Sequence, residues 1–176
     1  MKQTKLWIFG WLMVVLGVVN YAIYQKEEHL AHGTTVCLPL APVDPRSLMQ
    51  GDYMALRFAL ENPLRTALSD TEKSSARLTP LLNRDGRIVL DVDANCTATF
   101  DRLYHGQKLR PNQQILHYRI RHGKVTIASN AFFFQEGTAD RYAQARYGIF
   151  KVQHSDPLLV DLADAHLTPL SPKSPR

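Results

Sequence analysis

An uncharged apolar segment near the N-terminus limits the possible architectures of this chain more than any other part of it. Residues 6–24 read LWIFGWLMVVLGVVNYAIY and contain no Asp, Glu, Lys or Arg. At 1.5 Å per residue, a helix of this length extends about 28 Å, close to the roughly 30 Å of hydrocarbon in a bilayer. The sequence therefore predicts one transmembrane helix over residues 6–24.

The charges that flank this segment predict its orientation. Lys2 and Lys5 precede it, whereas Lys26, Glu27 and Glu28 together carry a net negative charge after it. The positive-inside rule then places residues 1–5 in the cytoplasm and the rest of the chain outside. A cleavable signal peptide is the alternative, but its apolar core is usually about 7 to 15 residues long. We therefore interpret the segment as a retained anchor.

The rest of the chain predicts one extracytoplasmic domain made mainly of β-strands. We expect a juxtamembrane linker over 25–33, the domain over 34–167 and a flexible tail over 168–176. The residues from 53 to 60 alternate between apolar and other side chains, as in a half-buried strand. Near eight strands in a barrel or sandwich, with one or two short helices, fit this pattern. No internal repeat is evident.

Two further patterns refine this prediction. HYRIRHGKVTIAS, residues 117–129, predicts a hairpin that turns at His122 and Gly123. Residues 61–86 predict an exposed excursion, with a short helix that opens just after Asn62 and Pro63. The domain is therefore expected to bury its core among strands.

Charge and cysteine content limit the function classes. The formal net charge is +5, but without Lys2 and Lys5 there are 19 basic and 16 acidic residues, which are interspersed. This pattern does not indicate nucleic-acid binding. Cys37 and Cys96 lie in extended stretches and can form a disulfide in an oxidising compartment, or remain two buried thiols.

Turn-forming residues precede a strand in the segment PVDPRSLMQGDYMALRFAL, residues 42–60. Gly51 fits a backbone with positive φ, and Asp52 fits an Asx-type turn. Tyr53 can pack on the strand with its hydroxyl toward a polar partner. Arg46 can clamp the turn through backbone carbonyls or a carboxylate. This structural interpretation requires no ligand.

A second interpretation joins charged residues from distant segments into a binding rim. Its candidate members are Asp44, Arg46, Asp52, Glu136, Arg141 and Arg146. Such a rim would bind a protein partner or a small polar ligand. Asp44 and Glu136 are also the candidate carboxylate partners of Arg46 in the structural interpretation.

No catalytic, metal or cofactor site is assigned from the sequence. The strand entrance resembles that of signal-peptidase-like hydrolases, but the place of their serine falls on Ala41 or Pro42. Ser47 is too close to the turn, and no lysine is evident as its base. The histidines lack the spacing of a closed zinc site.

Three consecutive phenylalanines form the other unusual segment. On a strand, Phe132 and Phe134 point to one side and Phe133 to the other. A strand covered on both sides is the interpretation that we favour. The alternative is an exposed aromatic contact for a membrane partner or the bilayer surface.

The segment DPRSLMQGDYMALRF resembles a family named for the motif Gly-Asp-Tyr-x-x-Leu-x-Tyr. Gly51, Asp52, Tyr53 and Leu56 match the motif, while Phe58 replaces its final Tyr. Three later blocks are also similar to the family: residues 132–137, 145–152 and 158–170. The resemblance implies a membrane-anchored bacterial protein, often encoded beside large multi-pass membrane proteins, and it implies no biochemical activity.

These observations together favour a single-pass protein of the bacterial inner membrane with a periplasmic domain. We expect a non-enzymatic accessory subunit that associates with a multi-pass membrane protein. A periplasmic small-ligand binding or sensing domain is the first alternative, and a cell-envelope hydrolase with an unrecognised site is the second. The sequence specifies neither the partner nor the oligomeric state.

Overall fold

The computed structural model describes residues 2–41, 49–50, 53–74, 83–122 and 124–171. The chain divides into two compact units, Met1–Gly33 and Thr34–Arg176. Asp44, Arg46, Gly51 and Asp52 lie outside the described residues. The predictions that concern their side chains therefore stay predictions.

The first unit is one helix, α1, over Lys2–His32. Its part from Trp7 to His32 has a mean hydropathy of 1.7, and its length and composition suffice to cross a membrane or to act as a signal sequence. The helix continues through most of 25–33, which we expected to be a linker, because no helix breaker precedes Gly33. The N–H of Gly33 donates to the carbonyl of His29 at 2.9 Å and closes the last turn.

The second unit is mainly β, which confirms the predicted fold class. It contains ten described strands and two helices rather than about eight strands. The strands are β1 (Thr34–Pro39), β2 (Met49–Gln50), β3 (Tyr53–Ala55), β4 (Asn83–Val92), β5 (Ala98–Leu103), β6 (Gln113–Arg121), β7 (Lys124–Ile127), β8 (Ala131–Phe133), β9 (Tyr147–Gln153) and β10 (Asp156–Ala163). The helices are α2 (Glu61–Ser74) and α3 (Ala139–Tyr142).

The strands form three antiparallel sheets around a shared core. Their orders are β1–β9–β10, β2–β3–β8 and β5–β4–β6–β7. The predicted hairpin is confirmed by the β6–β7 register, in which Tyr118 pairs with Ile127 and Ile120 pairs with Val125. These four side chains are buried, and they pack in one cluster with residues from the other two sheets.

Helix α2 corrects the prediction of an exposed excursion over 61–86. Leu64 and Leu68 lie one turn apart on the same helix face and are almost completely buried in the core. The Glu61 side chain accepts a hydrogen bond from the N–H of Phe58 at 3.1 Å, which connects the first turn to the preceding chain. The segment therefore contributes to the core, and residues 75–82 lie outside the described part.

Residues 168–171, the described part of the predicted flexible tail over 168–176, contact the domain. Leu170 is buried, and its N–H donates to the carbonyl of Leu162 at 2.8 Å. Pro169 forms a β-bridge with Ala163. The described tail residues through Ser171 thus belong to the folded domain, because an apolar residue there reaches the core.

Two loops share the sequence pattern Asp-Ala-x-x-Thr and the same turn geometry. DANCT (93–97) and DAHLT (164–168) each begin with an aspartate whose Oδ1 accepts N–H groups two and four residues later, at 2.7–2.9 Å. The fourth loop residue, Cys96 or Leu167, has φ of 67° or 62°. In the second loop these N–H groups, above all the one four residues on, hold the pKa of Asp164 below its usual range.

Candidate functional site

The motif strand β3 lies at the centre of the small sheet β2–β3–β8. Gln50 pairs with Tyr53, so two residues separate β2 from β3 in the sequence. On the other side, Tyr53 pairs with Phe133 and Met54 pairs with Phe132. The family motif and the phenylalanine segment, which are far apart in the sequence, are therefore hydrogen-bonded neighbours.

The two faces of this sheet differ in their exposure. Met54 is buried, and Phe132 packs against the core. On the opposite face, Phe133 is 75% exposed, and its ring centroid lies 5.8 Å from that of Tyr53. We call the Tyr53 and Phe133 rings the aromatic surface.

The structure decides between the two interpretations of the phenylalanine segment. Phe132 and Phe134 both contact the buried Tyr142, with ring centroids at 5.1 and 5.2 Å. The predicted alternation is therefore confirmed. The favoured interpretation of a strand covered on both sides is wrong, because Phe133 remains open to solvent.

A buried carboxylate network lies behind Tyr142. The Asp161 carboxylate accepts a hydrogen bond from the backbone N–H of Leu162 at 2.7 Å. It accepts a second one from the Ser171 hydroxyl, also at 2.7 Å. The Tyr142 and Ser171 hydroxyl oxygens lie 3.4 Å apart. No His or Lys takes part in these described contacts. These hydrogen bonds connect Ser171 to β10.

The remaining candidates of the predicted rim lie in three different segments of the chain. Glu136 follows β8, Arg141 lies on α3, and Arg146 precedes β9; all three are exposed. None of them forms an ion pair with another residue in the described ranges. The backbone of Arg146 accepts from Leu40 N–H and donates to Ala163 O, both at 2.8 Å, so this position connects β1 to β10. Convergence with Asp44, Arg46 and Asp52 stays a prediction.

The two cysteines form a disulfide, which resolves the alternative between a bond and two thiols. Cys37 on β1 is bonded to Cys96 in the first of the repeated loops, across a sequence separation of 59. The N–H of Cys37 also donates to the carbonyl of Cys96 at 2.7 Å. This covalent link ties the first strand of the domain to the β4–β5 hairpin.

Sequence reasoning missed the Asp161 network. The sequence feature that points to this network is an acidic residue, Asp161, within the apolar run LLVDLA. A carboxylate at such a position has to be hydrogen-bonded when it is buried. Within the described part of the chain, no three His, Cys, Asp or Glu side chains are grouped so that they could hold a metal ion.

A model of the family described as GDYXXLXY protein matches residues 15–162. This range includes most of α1, the motif strand, β8 and nearly all of β10. No curated protein and no solved structure matches the chain.

Proposed function

Because this chain belongs to the GDYXXLXY protein family, we propose that it is a membrane-anchored interaction protein that binds a multi-pass membrane protein. Helix α1 would be the anchor in a bacterial inner membrane, with a short cytoplasmic N-terminus. The β-rich domain would lie in the periplasm. The role is non-enzymatic, and the aromatic surface is the contact.

The exposure of Phe133 is the observation that carries this proposal. A single exposed apolar side chain is ordinary in a soluble protein. Here, however, a 75% exposed ring stands beside a tyrosine on one face of the strand pair that includes the family motif. Aromatic rings are enriched at the centres of protein interfaces, because they bury a large area with few rotatable bonds.

Attachment to a membrane favours a membrane protein as the partner. Two proteins held in the same bilayer meet at a much higher effective concentration than two proteins free in solution. A contact as small as two aromatic rings can then suffice, although it would be too weak between soluble proteins. The anchor and the aromatic surface therefore support the same kind of partner.

Site-specific photocrosslinking in intact membranes tests the proposal. A benzophenone amino acid at Phe133 should crosslink to one integral membrane protein, identified by mass spectrometry. Val160 is the matched control, since it is also an apolar strand residue and is 43% exposed. The same probe at Val160 should not capture that protein.

A second variant separates the contact from the fold. Phe133→Ser should abolish co-purification of the captured protein in mild detergent, while Val160→Ser should retain it. Both variants should keep the Cys37–Cys96 bond. Crosslinks from Phe133 to lipid alone, or equal capture from both positions, would contradict the proposal.

A further inference from the structure

One end of the outer face of the sheet β5–β4–β6–β7 carries an excess of positive charge. The cations at this end are Arg87 on β4, Arg119 and Arg121 on β6, and Lys124 on β7. Among the described residues of these three strands at this end of the face, one carries a carboxylate, Asp85. We call these cations and His117 the basic face. In the register, Arg121 lies directly opposite Lys124, and Arg87 lies opposite His117. Arg119 lies opposite Asp85. Like charges directly opposite each other destabilise a sheet, so the Arg121–Lys124 pair is not explained by stability of the fold.

At the other end of the same sheet, carboxylates neutralise two arginines. Arg110 Nη2 lies 3.3 Å from an oxygen of Asp91 and 3.7 Å from one of Asp101. Arg102 forms an ion pair with Asp101. Each of these two arginines thus has a carboxylate partner.

Among the described residues of these strands, the basic face has one carboxylate, Asp85, for its four cations. Arg121 forms an ion pair with Asp85, with Nη1 2.7 Å from Oδ1, and its Nη2 donates a hydrogen bond to Oδ2 at 3.0 Å. The one carboxylate is therefore already engaged. Arg87 and Arg119 form no ion pair with a residue in the described ranges. The positive charge of Arg87 is therefore available to a ligand, whereas Arg119 lies directly opposite Asp85 in the register.

An open depression lies beside Arg87. Tyr104, His105 and His117 line it together with Arg87, and so does Asp85, whose carboxylate is paired with Arg121. The N–H of Tyr104 donates to the carbonyl of Arg87 at 2.9 Å, and the Arg87 guanidinium carbon lies 5.8 Å from the Tyr104 ring centroid. Stacking on an aromatic ring orients the guanidinium while its N–H groups remain able to donate.

We propose that this depression binds a phosphate-type oxyanion. Arg87 would donate two parallel N–H bonds, the geometry in which guanidinium recognises phosphate. His105 and His117 would donate imidazole N–H groups, and Arg119 would add attraction from the neighbouring strand. The group recognised is the same whether it belongs to a small phosphorylated molecule or to a phospholipid headgroup.

Calorimetric titration of the full chain in neutral detergent tests this site. Pyrophosphate is the soluble probe, and phosphatidic acid in the same micelles, against phosphatidylcholine, is the lipid probe. Arg87→Gln should weaken binding at least tenfold. Arg65→Gln is the matched control, because Arg65 is an exposed arginine on α2 that does not line the depression, and it should change binding less than twofold. His117→Gln is a second variant of the site. Far-UV circular dichroism checks that His117→Gln and Arg87→Gln are both folded.

The two probes distinguish the sources of the phosphate. Binding of pyrophosphate that depends on Arg87 supports a small soluble ligand, and binding of phosphatidic acid alone with the same dependence supports a headgroup. The proposal is overturned if neither probe binds. It is equally overturned if Arg87→Gln and Arg65→Gln weaken binding to the same extent, since the effect would then be one of net charge.

Discussion

At the scale of single residues, Phe58 shows what the last position of the family motif does in this chain. It stands where the motif has Tyr, it is 1% exposed, and its ring meets that of Phe150 edge to face at a centroid distance of 5.5 Å. A Cβ added at Gly148 would lie 3.3 Å from the Phe58 ring, so there is little spare room. The position serves core packing and requires no hydroxyl here.

Truncation of Phe58 should therefore be far more costly than truncation of the exposed Phe133. Phe58→Ala should lower the free energy of unfolding by about 3–5 kcal/mol through lost burial and a cavity. Phe133→Ala should change it by less than about 1 kcal/mol. Urea unfolding followed by circular dichroism measures both; both tryptophans are in α1, so tryptophan fluorescence would not report on the domain. Similar losses in the two variants would contradict this packing role.

Asp164 should make the stability of the domain sensitive to acid. Hydrogen bonds from the backbone N–H of Thr168, and then from that of His166, lower the pKa of Asp164 in the folded state. Its stabilisation is therefore present above the unfolded pKa of about 3.9 and is lost as the pH falls through the folded pKa. Unfolding measured between pH 7 and pH 3 should show this loss in the wild type.

The substitution Asp164→Asn isolates this contribution. The variant should be less stable than the wild type at pH 7, and the difference should shrink as the pH falls below about 4. Asp140→Asn, at an exposed position on α3, is the control and should follow the wild-type curve. A constant difference between Asp164→Asn and the wild type at every pH would exclude the predicted linkage.

At the scale of elements, the sequence predicted what depends on local periodicity. The β6–β7 hairpin and the inward face of β3 follow from alternation, because one face of each strand is buried. The burial of α2 was missed, since only Leu64 and Leu68 fix its inward face and their environment comes from distant strands. The packing of Leu170 was missed for the same reason.

The candidate site was less predictable than the fold. The pairing of Tyr53 with Phe133 joins residues that are 80 positions apart, and nothing in either segment specifies the other. The basic face likewise arises from the register of three strands, while its cations are scattered among acidic residues in the sequence. Such sites depend on long-range pairing, which one sequence without its fold does not show.

The disulfide between β1 and the β4–β5 loop should be a main source of stability. Closing a loop of about 60 residues restricts the unfolded chain by about 4 kcal/mol in the chain-entropy model. The double substitution Cys37→Ala and Cys96→Ala should lower the free energy of unfolding by about this amount. Wild-type protein unfolded in a reducing agent should give a matching value.

A loss below about 1 kcal/mol in both measurements would contradict this expectation. Agreement between the reduced protein and the double variant also controls for the side-chain change. Urea unfolding at several denaturant concentrations provides the slope that reveals any change in the unfolded state.

At the scale of the whole molecule, the proposed anchor should be retained. A membrane extract should contain the full 20.0 kDa chain by intact mass spectrometry. A C-terminal alkaline phosphatase fusion should be active, because the positive-inside rule places the domain outside the cytoplasm. A shorter mass that lacks the apolar segment would indicate a cleaved signal sequence, and an inactive fusion would reverse the orientation.

The connection between the two units also has a mechanical consequence. Helix α1 ends at His32 and β1 begins at Thr34. If α1 is the anchor proposed above, tension along the chain would enter the domain at the first residue of a strand. That strand runs antiparallel to β9, and its fourth residue is Cys37. Peeling of β1 under load would stop at this covalent bond after three residues. The disulfide would then transfer the load to the β4–β5 hairpin, and the pairing of β1 with β9 beyond Cys37 would be preserved.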